Sequence, residues 1–492
     1  MKTLIYLSLL VFLLTGCLTT GLASFEESST GRETLPGEID PVGEVPVDSG
    51  AADLDSTAGV LVTAYNPSER GYTLRAVDPA SGEPVSDRTP ILVSKDREYV
   101  PQVAYSPDGT RLAAIEASGV SCEAFAGGSS CYPQAIAVRV LDPQSWQVVS
   151  SPLPSDGWAG ALSFSPSADR LAISYNHPGK SSVLVLETSN GEILTTLTPG
   201  FRPEGVAFFQ DDSQLLVYGT LTVEQPGVTA PGPLRLEAYS IPSGEKLWER
   251  ELSDVTSGSW CLEGCDDEHG RQLYAIFNPA YVLSPDGRTL FILHADQDKF
   301  TRVSLADGRS EDIEIHEAAS WFERLLATTA GVAQAKGAVR GGDKLATISP
   351  DGTRLYVQST EMDAELNSDG YWESEDSVTE LQIIDAKSGQ ILASADASGY
   401  GYVLTTDGKY LFSTVWTDAG LETEVLSAED LSRVTGLLGW ELMYSQDLNG
   451  NKVLLGRHEA SAMTSLALVD AENFEIVGSW KSTGLANWVP AP

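Results

Sequence analysis

Short apolar runs and clusters of turn residues alternate along nearly the whole chain. One clear stretch has Tyr281-Val282-Leu283 leading into Ser284-Pro285-Asp286-Gly287, and Leu290-Phe291-Ile292-Leu293 leading out. Two strands joined by a tight turn have this pattern. Proline presets φ at the second turn position, aspartate bonds its own backbone and glycine accepts positive φ. Long helical periods are few, and the pattern predicts an all-β fold.

The same turn recurs at Ser106-Pro107-Asp108-Gly109, Ser165-Pro166-Ser167-Ala168, Gln210-Asp211-Asp212-Ser213, Ser349-Pro350-Asp351-Gly352, Thr405-Thr406-Asp407-Gly408 and Ser445-Gln446-Asp447-Leu448. A second kind of turn falls between the copies. Asp78-Pro79-Ala80-Ser81-Gly82, Glu187-Thr188-Ser189-Asn190-Gly191, Ser240-Ile241-Pro242-Ser243-Gly244 and Asp385-Ala386-Lys387-Ser388-Gly389 are examples. Each unit therefore holds four short strands, a to d, with the first turn joining a to b and the second joining c to d. Four-stranded units repeating every ~40 to 60 residues predict β-propeller blades. Ser106-Pro107-Asp108-Gly109-Thr110-Arg111-Leu112-Ala113 resembles the WD40-like and YVTN-type propeller repeat. Tyr239 to Trp248 resembles a quinoprotein-type blade, although most copies lack that tryptophan, so a quinone cofactor is not supported. The resemblance covers about residues 58 to 490 and implies a fold, not a chemistry.

The phase of the turns predicts the blade count. The first segment supplies strands b, c and d but no a. Leu485-Ala486-Asn487-Trp488-Val489 follows the last d strand where another a strand would begin. Eight blades are expected, with the ring closed by pairing of the N- and C-terminal strands. A seven-bladed ring with the first hairpin packed outside is the alternative.

The N-terminus alters the picture. Lys2, the apolar run Leu4 to Leu14, and Leu14-Thr15-Gly16-Cys17 resemble a bacterial lipoprotein signal and lipobox over residues 1–17, which implies a lipid on Cys17. Leu18 after that cysteine implies the outer membrane in preference to the inner one. Residues 18–57 are rich in Gly, Ser, Pro and acidic residues, with Arg32 the only base, and read as a flexible tether to a propeller at 58–492. The chain has 31 basic and 69 acidic residues, a net charge of −38, which excludes a nucleic-acid footprint.

Five insertions interrupt the pattern: Glu116 to Pro133, Leu221 to Pro233, Ser253 to Pro279, His316 to Asp343 and Thr360 to Val378. All lie in b–c or d–a connections, which emerge on one face of a propeller, so they are expected to crowd that face as long loops. Ser320 and Glu323 have capping-box spacing, which suggests a short helix in one of them. Cys122 and Cys131 flank one insertion, and Cys261 and Cys265 sit in another. In an exported protein disulfides are expected, Cys122 with Cys131 and Cys261 with Cys265. Glu365, Asn367, Asp369, Glu373 and Asp376 loosely match calcium-loop spacing around Gly370 but depart from it at both ends. They are weak metal candidates, with a solvated acidic loop the simpler reading.

No nucleophile elbow, Ser-x-x-Lys or phosphate loop is present, and the five histidines share no motif. His294, Asp296 and Asp298 follow a b strand on the insertion face. The reading is a monomeric propeller anchored by lipid in a bacterial cell envelope, binding a protein, peptide or glycan through its long-loop face without a cofactor. The alternative is a lactonase-like hydrolase with a site in the channel.

Overall fold

The computed structural model describes residues 60–481 apart from stretches between strands, the longest being 318–337. It is all-β, with no helix among the described residues. Seven four-stranded blades follow one another. They run from Val103 to Pro152, Trp158 to Leu197, Arg202 to Leu252, Ala280 to Glu314, Ala338 to Asp396, Tyr402 to Leu438 and Glu441 to Lys481. Every blade is an antiparallel meander. In the fourth, Ala280–Leu283, Thr289–Leu293, Lys299–Ser304 and Ser310–Glu314 pair in chain order.

The expected count of eight is corrected to seven. The first segment has three strands, Val60–Asn66, Gly71–Val77 and Ile91–Ser94, and reaches the first blade through the parallel bridge Ser94↔Ala117. Its Tyr72, Leu74 and Ala76 pack on Leu112, Ala114 and Leu141 of that blade. Among the described residues it contributes no inner strand of its own, and the partner expected for it, Leu485 to Val489, lies outside them.

The turns explain why these sequences repeat. In a–b turns the N–H of the fourth residue donates to the carbonyl of the first, as from Gly287 to Ser284 at 2.8 Å. The leading hydroxyl then accepts the N–H five residues on, as from Thr289 to Ser284 Oγ at 2.9 Å and from Tyr410 to Thr405 Oγ1 at 3.0 Å. The c–d turns close one residue wider, from Gly389 N to Asp385 O at 2.9 Å. Both closures need a left-handed residue. Gly191, Gly244, Gly308 and Gly389 supply it in four c–d turns, while Trp146, Leu431 and Phe474 adopt it without being glycine.

The core is a ring of interblade layers. Phe209, Leu216 and Leu236 of the third blade, for example, pack with Leu290, Ile292 and Val303 of the fourth. Turns also touch around the ring. A Cβ on Gly352 would meet Pro285 Cδ at 3.5 Å, and one on Gly408 would meet Pro350 Cδ at 2.8 Å. On the outer side, the Trp248 indole N–H donates to Leu305 O at 3.0 Å, tying the third blade to the fourth.

The insertions differ from expectation. They were expected as loops, yet much of their length is strand. Pairing in the first blade runs on from Leu112↔Leu141 to Phe125↔Gly128, so Glu116 to Pro133 is mostly a raised hairpin. Val223–Gln225 and Val228–Ala230 form a second hairpin, and Gly258–Asp266 with Gln272–Asn278 a third. The last strand of the third hairpin pairs in parallel with the start of the fifth blade's inner strand, Tyr274↔Val339 to Asn278↔Asp343. Strand Arg354–Leu366 extends past that blade, and Trp372–Ser374 folds back on it. Backbone leaving a blade edge finds its hydrogen bonds most cheaply by continuing the ladder, which is why these segments become strands. The helix expected around Ser320 lies outside the described residues.

Candidate functional site

The d–a connection between the third and fourth blades is held at four points. Lys299 Nζ donates to Asp254 Oδ2 at 2.6 Å, and Thr256 Oγ1 donates to Asp296 Oδ2 at 2.6 Å. Ser257 Oγ donates to Glu204 Oε2 at 3.3 Å, and Gln297 Nε2 reaches Asp254 O at 3.4 Å. A segment of five residues, 253–257, is thus pinned to both blades before it rises into the third hairpin.

Two clusters flank this segment. The first centres on His294, which directly follows the b strand of the fourth blade and is wholly buried. Thr301 Oγ1 donates to Asp312 Oδ1 at 2.7 Å, so its hydroxyl proton is committed. The contact of 2.8 Å between His294 Nε2 and Thr301 Oγ1 then assigns the ring proton to Nε2. Nδ1 keeps a bare lone pair, buried and without a partner. Burial, and secondarily Lys299, hold the imidazole below its usual pKa against the opposing pull of Asp254, Asp312 and Asp296. Lys299 also reaches Asp312 Oδ2, at 3.4 Å. Burial pulls its ammonium down, but Asp254 and Asp312 outweigh this and raise it, while the lysine hydrogen bond lowers Asp254.

The second cluster centres on Glu204, near the start of the third blade's inner strand Arg202–Phe209. Thr220 Oγ1 donates to its Oε1 at 2.6 Å. Burial raises its pKa, against the hydrogen bonds of Thr220 and Ser257 and the charge of Arg202. Tyr218 and Tyr281 lie beside it with ring centroids 4.4 Å apart. Burial, then Glu204, push the Tyr218 hydroxyl up to about 12. Gly205 makes this possible, because a Cβ there would overlap the Tyr218 ring. Further round, burial raises Asp343 against an opposing hydrogen bond from Asn278. Gly342 beside it lets the fifth blade's inner strand press on Ala295 O.

The sequence-predicted residues fall elsewhere. Cys122 and Cys131 are direct cross-strand partners in the raised hairpin. Cys261 and Cys265 share the strand Gly258–Asp266, whose register is irregular between Cys261 and Asp266. Glu365 and Glu373 are also cross-strand partners, while Cys17, Asn367, Asp369 and Asp376 lie outside the described residues. Of the residues picked out on the insertion face, the structure puts His294 and Asp296 at the pinned connection. Glu204, Asp254, Asp312, Tyr218 and Asp343 carry no motif in the sequence. The one sequence signal for Asp254 is its place at the start of an insertion.

No protein-family model matches the chain, and no curated protein matches it in sequence. Solved structures do match its shape. Dihydro-heme d1 dehydrogenase NirN, solved in complex with DHE, aligns with a TM-score of 0.50 at 12% identity, over 88% of this chain and 74% of that one. Periplasmic gluconolactonase PpgL of Pseudomonas aeruginosa aligns with a TM-score of 0.41 at 14% identity, over 77% and 95% of the two chains. The Cps50 (Swd1) β-propeller domain of Myceliophteria thermophila aligns with a TM-score of 0.38 at 12% identity, over 79% and 95%. The chain is a β-propeller. At these identities the likeness is one of fold alone.

Proposed function

We propose that this protein is a lipid-anchored propeller of a bacterial envelope that binds a protein, peptide or glycan through the face carrying its insertions. The observation that supports the reading is the build of that face. Hairpins rise from the b–c connections of the first and third blades and from the d–a connection after the third, and the fifth blade's strands extend alongside them. Strands continuous with a rigid disc hold a binding surface in place at a lower ordering cost than loose loops.

The test trims one hairpin. Ser118 and Ala135 are cross-strand partners, so replacing residues 119–134 by Asn-Gly closes the first blade with a tight turn. The variant is expected to keep its thermal melt while losing the partner that in-cell crosslinking recovers with the parent protein. Arg309→Ala, at a c–d turn on the opposite face, is expected to keep that partner. Equal recovery by the trimmed variant overturns the reading. Turnover of an ester or lactone panel, untouched by trimming, would point to the hydrolase alternative.

Attachment has its own test. Cys17→Ser is expected to move nearly all of the protein from the membrane fraction to the soluble one, read by fractionation and blotting. Unchanged membrane association would sink the anchor.

A further inference from the structure

We propose that Glu204, Ser257 and Tyr281 form a recess that takes the side-chain ammonium of a lysine presented by a protein or peptide partner. This rests on the reading that such a partner docks on the insertion face, and it names what that face would hold. Glu204 stands at the insertion-face end of the third blade's inner strand. The strand bulges there. Pro203 pairs with Gly219 and Gly205 with Tyr218, so Glu204 is the extra residue between them. A bulge re-aims the side chain it carries. Here the carboxyl meets Ser257 of the d–a connection and lies beside Tyr281 of the fourth blade. Two glycines permit the shape. A Cβ on Gly219 would overlap Arg202 O and stand 2.9 Å from Glu204 N, and one on Gly205 would overlap the Tyr218 ring.

The cluster lacks a cation. Glu204 accepts from the hydroxyls of Thr220 and Ser257, and among the described residues no lysine or arginine pairs with it. Arg202 acts on it only through its charge, and is exposed. A carboxylate drawn out of water and held by hydroxyls alone is under-compensated. Tyr281 is a second, independent observation. Its hydroxyl is buried and makes no hydrogen bond of good geometry, although Ser257 and Glu204 are both near enough to act on its proton affinity. A buried polar group left bare carries a desolvation cost that a ligand would remove. Glu204, Tyr218 and Tyr281 each keep some accessible surface, so the cluster lines an opening and is not sealed in the core.

An ammonium fits what is missing. It brings one positive charge and three N–H donors, and the Glu204 carboxylate, Ser257 Oγ and the Tyr281 hydroxyl all have lone pairs to accept them. A neutral hydroxyl would leave the carboxylate's charge unpaired. A guanidinium grips both oxygens of a carboxylate, but Thr220 already holds Oε1 at 2.6 Å, which favours the compact ammonium. The stacked Tyr218 and Tyr281 rings add their electron-rich faces, which attract a cation. The net charge of −38 draws a basic partner toward the chain from a distance.

The test is surface plasmon resonance on the immobilised full chain at about 0.15 M salt, which screens loose attraction to an acidic surface. The probes are acetyl-Gly-Gly-Lys-Gly-Gly-amide, the same peptide with norleucine for lysine, and 1,5-diaminopentane. Saturable binding of the lysine peptide is expected, with Kd on the order of 1 mM, and none of the norleucine peptide. Glu204→Gln is expected to weaken it about tenfold or more. Tyr281→Phe, which removes a hydroxyl without a good hydrogen bond, is expected to weaken it about threefold while leaving the thermal melt unchanged or higher. Glu311→Gln, at an exposed carboxylate on the fourth blade's outer strand, is expected to change nothing. Four results overturn the proposal: no saturable binding of the lysine peptide, equal binding of the norleucine peptide, binding of diaminopentane alone, or full affinity in Glu204→Gln. If any of these came while crosslinking still recovered a hairpin-dependent partner, the lysine site would fall and the binding face would stand.

Discussion

Gly389→Ala is expected to cost roughly 3 kcal/mol of stability, the sum of two strains in one methyl group. Gly389 closes the fifth blade's c–d turn at φ 78°, which an alanine tolerates at a cost of about 1–2 kcal/mol. Its Cβ would also overlap Glu314 O and meet Ile313 Cγ2 at 2.8 Å, on the preceding blade's d strand. That neighbour is backbone and cannot rotate away, so the blades must part. The same joint binds His316 N to Gly389 O at 3.0 Å and begins the short parallel pairing His316↔Gln390. Gly109→Ala separates the two strains. Gly109 has a similar φ of 70° but nothing within 4 Å of the added carbon, so only the conformational cost remains. Urea denaturation of both variants beside the parent is the measurement. Equal losses would mean that blade contact at Gly389 contributes nothing.

Lys246→Met is expected to cost roughly 2 kcal/mol at neutral pH, because it leaves a buried carboxylate without its cation. The Glu237 side chain is 2% exposed, and Lys246 Nζ donates to its Oε1 at 2.7 Å. Its other oxygen accepts the Tyr239 hydroxyl, whose pKa is raised by burial and then by Glu237. Lys246 is itself 40% exposed, so water replaces part of what the lysine supplied, and the loss falls below that of a fully buried pair. The pH dependence has a defined sign. Burial pulls the lysine down, but hydrogen bonds to Glu237 and Glu249 outweigh it, and its pKa is raised above 10.5. A raised lysine pKa contributes stability that is complete below the unfolded value and lost as pH rises through the folded one. The gap between parent and variant is therefore expected to hold between about pH 7 and pH 9 and to close in strong alkali. Thermal melts across that range would show it, and a gap that widens with alkali would contradict the pairing.

The sequence by itself determined the parts of this protein that are local. A Ser-Pro-Asp-Gly turn closes within four residues, and its hydroxyl reaches five residues on, so each copy can be read without the rest of the chain. The apolar runs beside it then make four-stranded blades, because period-two strands joined by tight turns have one economical packing. Even the left-handed position of the c–d turn was visible wherever glycine marks it. Trp146, Leu431 and Phe474 hide it, because the closing hydrogen bond imposes the conformation whatever the side chain.

Only the tertiary structure decided the rest. The number of complete blades depends on whether strands far apart in the chain pair, and no local spacing reports that. The raised hairpins depended on ladders continuing past the blade edge, where composition alone suggested loops. The candidate site is the clearest case. Ser257 reaches back 53 residues to Glu204, Lys299 reaches back 45 to Asp254, and Gly342 presses on Ala295 in another blade. None of these residues has a neighbour in sequence that marks it. Blade-to-blade packing sets their distances, and burial between blades shifts their proton affinities, so their chemistry exists only once the blades have stacked.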